Sequence, residues 1–163
     1  MFKKSFSISA VLALLFFSAG CKTLPPLPAV NLFEPGWKIQ RGQAVWRAKK
    51  DAPEIAGELL IATNSDGHTF VQFTKTPFPF AVAQRAYDHW QIEFGAANKK
   101  FSGRGKPPQR IIWLQLPRFT EKSGSPHVVS CKTRQWAWQT FENSRWLLRN
   151  RITGESLEGF LAP

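Results

Sequence analysis

Residues able to do covalent chemistry are few in this chain, and their spacing builds no active site. The three histidines, His68, His89 and His127, are far apart. They match neither an HExxH helix nor a two-Cys two-His pattern, the spacings that set zinc ligands around one metal. Cys131 has His127 four residues before it, yet a thiolate and its base normally come from distant segments that folding brings together. A small apolar residue on a strand is the plainer reading of Cys131. Gly103-Arg104-Gly105-Lys106 looks superficially like a phosphate loop, but it lacks the first Gly and the Ser or Thr after the Lys. Pro107-Pro108 would also deny the next helix the free amides that hold phosphate. Asp66, Asp88 and Glu93 form no local carboxylate pair suited to acid–base hydrolysis. The expectation is a binding protein and not an enzyme, with no metal and no cofactor.

Binding chemistry is better represented. The chain has seven Trp and 14 Phe. All seven indoles, Trp37, Trp46, Trp90, Trp113, Trp136, Trp138 and Trp146, lie beyond the first 36 residues. Each is a large apolar surface with one donor that needs a partner when buried. On one face of a curved sheet such side chains either fill a core or line a cavity. The formal charge is +11, and +9 once Lys3 and Lys4 are removed. That balance would suit nucleic acid, but the basic residues are scattered in pairs such as Lys49-Lys50 and Lys99-Lys100. A solvated basic surface, with some attraction for anionic head groups, is the expectation, and no nucleic acid is expected as a partner.

The N-terminus supplies an address. Lys3 and Lys4 precede an apolar run over residues 6–17, and small residues follow at once. This is the three-part layout of a secretory signal. The run is shorter than the ~20 residues needed to span a bilayer as a helix. At its end, Ser18-Ala19-Gly20-Cys21 resembles the lipobox of bacterial lipoproteins, with Ser18 where Leu is usual. The resemblance implies cleavage before Cys21 and a lipid on that residue, so residues 1–20 would be a signal peptide. Lys22 after the Cys, where an Asp would retain the protein at the inner membrane, implies the outer membrane facing the periplasm. Several acyl chains would hold the protein stably on one leaflet. With Cys21 lipidated, Cys131 has no partner within the chain, and core packing alone must stabilise the fold.

Residues 22–35 contain Pro25, Pro26, Pro28 and Pro35 and read as an extended spacer. A single domain over residues 36–163 follows. Alternation and turn residues predict strands over 42–49, 54–63 and 68–75, the last two joined through Asn64-Ser65-Asp66-Gly67. Thr76-Pro77-Phe78-Pro79 interrupts the ladder. Residues 80–86 suit a strand or a short helix, residues 90–94 a strand, and residues 102–108 a loop. Pro107-Pro108 and the aperiodic apolar run after it predict a helix over 109–116 that ends at Pro117. Residues 121–126 read as a polar loop and 128–132 as a short strand. Strands over 135–140, 145–152 and 156–161 complete the chain, the last two forming a hairpin around Thr153-Gly154-Glu155. The fold class is mainly β: an antiparallel curved sheet, an unclosed half barrel, with one or more short helices packed on it.

A lipobox, a Pro-rich spacer, antiparallel strands, a helical segment holding Trp113-Leu114 and then returning strands together resemble the LolA/LolB group of lipoprotein carriers and receptors. The likeness is one of organisation, without a shared motif. It implies an apolar cavity for acyl chains between an unclosed barrel and its helices. Parity along the strands places Leu59, Ile61, Val71, Phe73, Trp90, Ile92 and Phe94 on the inner face as candidate ligand-binding residues. The expected function is a monomeric, membrane-anchored lipoprotein that binds an acyl chain or other hydrophobic ligand. The alternative is an assembly accessory that presents a surface to envelope machinery or cell wall.

Overall fold

Side-chain alternation with a period of two, punctuated by Gly, Asn, Asp and Pro turns, organises nearly the whole described chain into strands. The computed structural model describes residues 24–120, 130–141 and 144–162. In chain order the elements are β1 (Trp37–Arg47), β2 (Glu54–Asn64), β3 (Thr69–Lys75), β4 (Phe78–Ala86), β5 (His89–Phe94), β6 (Lys99–Arg104), the helix α1 (Ile112–Thr120), β7 (Ser130–Lys132), β8 (Trp136–Thr140), β9 (Arg145–Asn150) and β10 (Ser156–Leu161). They form one antiparallel sheet of ten strands in the order β6-β5-β4-β3-β2-β1-β10-β9-β8-β7. The last strand returns to pair with the first, Trp46 opposite Leu157 and Ala44 opposite Gly159. β6 and β7 are the two ends of the ladder and do not pair with each other, so the sheet is curved and unclosed. One helix packs on its inner face.

The turns follow their chemistry. Between β2 and β3 the Gly67 amide donates to the Asn64 carbonyl at 3.0 Å, and the His68 amide to Asp66 Oδ1 at 2.9 Å. Gly67 has φ +85 there, a left-handed conformation that glycine adopts without a side-chain clash. The interruption at Thr76-Pro77 is the tight β3–β4 turn, and its peptide bond is cis. Phe78 and Pro79 beyond it already belong to β4, opposite Lys75 and Thr74. A β-bulge at Phe73/Thr74 then shifts the register, which turns Phe80 inward to meet Phe73 at 6.1 Å and Trp46 at 5.2 Å.

Curvature is concentrated where side chains are absent. A Cβ on Gly42 would overlap the Phe160 carbonyl oxygen, and one on Gly159 the Gln43 carbonyl oxygen. One on Gly57 would overlap the Thr74 carbonyl oxygen. These positions let neighbouring backbones close in, as at the corner of a barrel. The sheet thus wraps around its inner face and encloses α1.

One alternative is decided and two expectations need correction. Residues 80–86, which suited a strand or a short helix, are strand throughout, since β4 is central and paired on both sides. Ser102, Gly103 and Arg104 are not loop: they belong to β6, which pairs along β5 from His89–Arg104 to Phe94–Lys99. The helix begins three residues later than expected and runs through Pro117 to Thr120. Proline removes one intrahelical hydrogen bond, but α1 is held by burial of Ile112, Trp113, Leu114, Leu116 and Thr120, and packing outweighs propensity in so short a helix. The expected loop at residues 121–126 lies outside the described residues.

Residues 24–35 contain no helix or strand, in keeping with their prolines, yet they are not a free spacer. The Leu27 amide donates to Gln91 Oε1 at 2.9 Å, and Gln84 Nε2 donates to the Pro28 carbonyl at 2.9 Å. Gln84 and Gln91 face each other across β4 and β5, on the outer side of the sheet, and grip the segment together.

Candidate functional site

The register shows which side chains share the inner face. Leu59 pairs with Phe73, Ile61 with Val71, Val71 with Ala83, and Ala83 with Ile92. Ala81 joins Phe73 to Phe94, and Trp90 sits opposite Gly103. All seven candidate residues therefore lie on one face, the face that α1 covers. Among the described residues they pack against other side chains of the core. Leu59, Ile61, Val71, Phe73 and Ile92 are buried in one core with Ile112, Trp113 and Leu116 of α1. Trp90 and Phe94 are partly buried at the β5 end of this face, and the Trp90 ring lies against Gly103.

α1 bridges the two halves of the curved sheet. Toward β2 and β3, the Trp113 ring stacks on Phe73 at 5.1 Å and meets Trp46 at 5.8 Å. Toward β8 and β9, Phe119 stacks on Trp138 at 5.8 Å, and Trp138 on Trp146 at 5.4 Å. The approach to the helix is tied as well, because Trp136 Nε1 donates to the Gln109 carbonyl at 2.7 Å. At its end, the Thr120 hydroxyl donates to the Pro117 carbonyl at 3.2 Å. Spacing alone could not find this role for Trp113, since its partners come from β1 and β3.

Electrostatically the face is apolar with one ionisable group at its margin. Trp46 Nε1 donates to Glu155 Oε1 at 3.0 Å, and burial pushes the Glu155 carboxyl up to about 7 while the Trp46 hydrogen bond pulls it down. Four other indoles behave differently. Trp90, Trp113, Trp138 and Trp146 bury their Nε1 donors with no hydrogen-bond partner among the described residues. An unanswered buried donor costs about 1–3 kcal/mol, so three on the sheet's inner face and a fourth on α1 against it are an unusual concentration of unmet polarity.

The residues first considered for chemistry do not assemble. His68 pairs with Asp66, Nδ1 to Oδ2 at 3.3 Å, and packs edge-on against Tyr87 at 4.4 Å. His89 begins β5 at the same end of the sheet. Among the described residues no three His, Cys, Asp or Glu are grouped to hold a metal. Cys131 is in β7, where its backbone pairs with Trp138 of β8. Gly105 donates its amide to the Asp88 carbonyl and has φ +77, a turn conformation without a phosphate-loop helix. Cys21 and His127 lie outside the described residues. Compared with known proteins, the chain matches no family model and no curated protein.

Proposed function

We propose that this protein is a lipid-anchored envelope protein, held through Cys21 on the outer membrane facing the periplasm. Its half barrel takes an acyl chain or another hydrophobic ligand between the sheet and α1, as a carrier or receptor and without covalent chemistry. The observation that carries this reading is the inner face itself. It is apolar over Leu59, Ile61, Val71, Phe73 and Ile92, yet Trp90, Trp138 and Trp146 on it, and Trp113 of α1 against it, bury indole donors without acceptors among the described residues. An amphipathic ligand offers both an apolar chain for the face and oxygens for the donors. In the closed arrangement α1 occupies that place, so binding requires the helix to swing aside and expose a continuous apolar floor.

Native mass spectrometry of the full chain extracted from membranes tests the reading. The expected result is a protein species carrying an acyl-chain ligand, in addition to the mass of the lipid on Cys21. A ligand-free species under conditions that preserve other lipid complexes would overturn it. Cys21→Ser addresses the anchor separately, and the variant should lose both the acyl mass and membrane retention.

The packed interior favours a second reading, an assembly accessory that presents a surface to envelope machinery or cell wall. Crosslinked envelopes that release only lipid with the protein, and no partner protein or wall fragment, would count against it.

A further inference from the structure

The outer face of the sheet, opposite α1, carries an open groove of its own. Cross-strand pairing aligns Arg145, Phe160, Gln43, Glu58 and Thr74 in one row over β9, β10, β1, β2 and β3. Five strands at the usual spacing give a row about 19 Å long. Two adjoining concavities of about 620 and 520 Å³ share Gln43, Glu58 and Phe160 and extend the groove to Glu158 on one side and Arg41 on the other. The close backbone approach at Gly42, Gly57 and Gly159 bends the sheet at this place.

The chemistry of the groove is specific. Phe160, shared by the two concavities, is 44% exposed, a flat apolar surface open to solvent. Arg41, Lys75 and Arg145 line it together with Glu58 and Glu158, and none of the five forms an ion pair among the described residues. On a chain of net charge +11, this is a nearly balanced patch, with no preference for a polyanion. Planar polar groups that both donate and accept, set around an exposed aromatic ring, match a pyranose. Its C–H face packs on the ring and its hydroxyls meet the amide, carboxylates and guanidinium groups. The length of the row suits a chain of sugars better than a single one.

We propose that this outer groove binds a neutral or amphoteric glycan chain, with Phe160 as the stacking platform and Gln43, Glu58 and Arg145 as its hydrogen-bonding rim. The groove and the inner face lie on opposite sides of the sheet, so bound lipid and glycan affinity succeed or fail independently. The test uses the purified full chain with a soluble chito-oligosaccharide by titration calorimetry, and with insoluble peptidoglycan by sedimentation. Saturable binding that persists as salt is raised is expected. Phe160→Ala and Gln43→Ala should each weaken it about tenfold, equivalent to ~1.4 kcal/mol, with unchanged circular dichroism and melting. Phe101→Ala, at a half-exposed position in β6, three strands beyond the end of the row, should leave it unchanged. Failure of the folded wild-type chain to bind either glycan would overturn the proposal. So would binding that vanishes with salt, or binding indifferent to both groove substitutions.

Discussion

At the scale of single residues, Glu155 shows how a fold can hold a carboxyl at a mild cost. Its carboxylate accepts the Trp46 indole at 3.0 Å, but burial dominates and raises the pKa from 4.5 to about 7. The folded state therefore holds this proton more tightly than the unfolded chain. The group's contribution is fully present below about pH 4.5 and is lost as pH rises toward 7. Glu155→Gln keeps an acceptor for Trp46 and removes the charge. It should be more stable than the wild type by on the order of 1–2 kcal/mol at about pH 8, after allowing for partial exposure, and nearly equal to it at about pH 4. Urea unfolding at the two pH values measures the difference. A gain of equal size at both would disprove the titration of Glu155 as its cause. Trp113 represents the opposite case, a residue whose whole contribution is apolar. It is 1% exposed and stacked on Phe73, so Trp113→Ala should cost about 3–5 kcal/mol, measured by the same unfolding.

At the scale of elements, legibility in the sequence followed locality. The β2–β3 and β9–β10 hairpins were readable because alternation and turn residues sit next to each other in the chain, as in Asn64-Ser65-Asp66-Gly67. Trp90, Ile92 and Phe94 announced β5, and Trp136 and Trp138 announced β8, by the same period. β6 was not readable: Lys99-Lys100-Phe101-Ser102-Gly103-Arg104 lies exposed at the sheet's end, where no core imposes an apolar pattern. Nor could the passage of α1 through Pro117 be read, because burial against strands distant in sequence sustains that helix. The inner face was correctly grouped by parity, while its coverage by α1 depended on tertiary contacts. The bend was equally hidden, since a glycine in a strand does not say which backbone approaches it. Gly42→Ala tests that bend. Its Cβ would meet the Phe160 backbone, which cannot yield as a side chain can, so the loss should reach or exceed the ~1–3 kcal/mol of ordinary overpacking. Unfolding at the wild-type midpoint would show that β1 and β10 can part without disturbing the sheet.

At the scale of the whole molecule, the two faces of one sheet are used differently: the inner face receives α1, and the outer face receives the chain's own N-terminal segment. Gln84 and Gln91 are both largely buried although they face outward, because the segment lies over them and each supplies one hydrogen bond to it. The apolar alternation of β4 and β5 gave no sign of this, as the pairing of two glutamines requires the register. The grip has a mechanical consequence. Only residues 22–26 separate Cys21 from the first gripped residue, Leu27, a reach of roughly 20 Å when extended. Release of the segment as far as Trp37 would extend this to roughly 55 Å. On an acylated chain, the glutamine pair would thus fix how far the half barrel stands from the bilayer. Each hydrogen bond contributes about 1 kcal/mol, so Gln91→Ala should raise amide exchange at Leu27 about fivefold, and Gln84→Ala with Gln91→Ala should free the neighbouring residues too. Hydrogen-exchange mass spectrometry on the full chain resolves this segment from the strands, whose protection should remain at the wild-type level. Unchanged exchange over residues 24–35 in the double variant would mean that other contacts hold the segment, and the glutamine pair would lose its role in setting the reach.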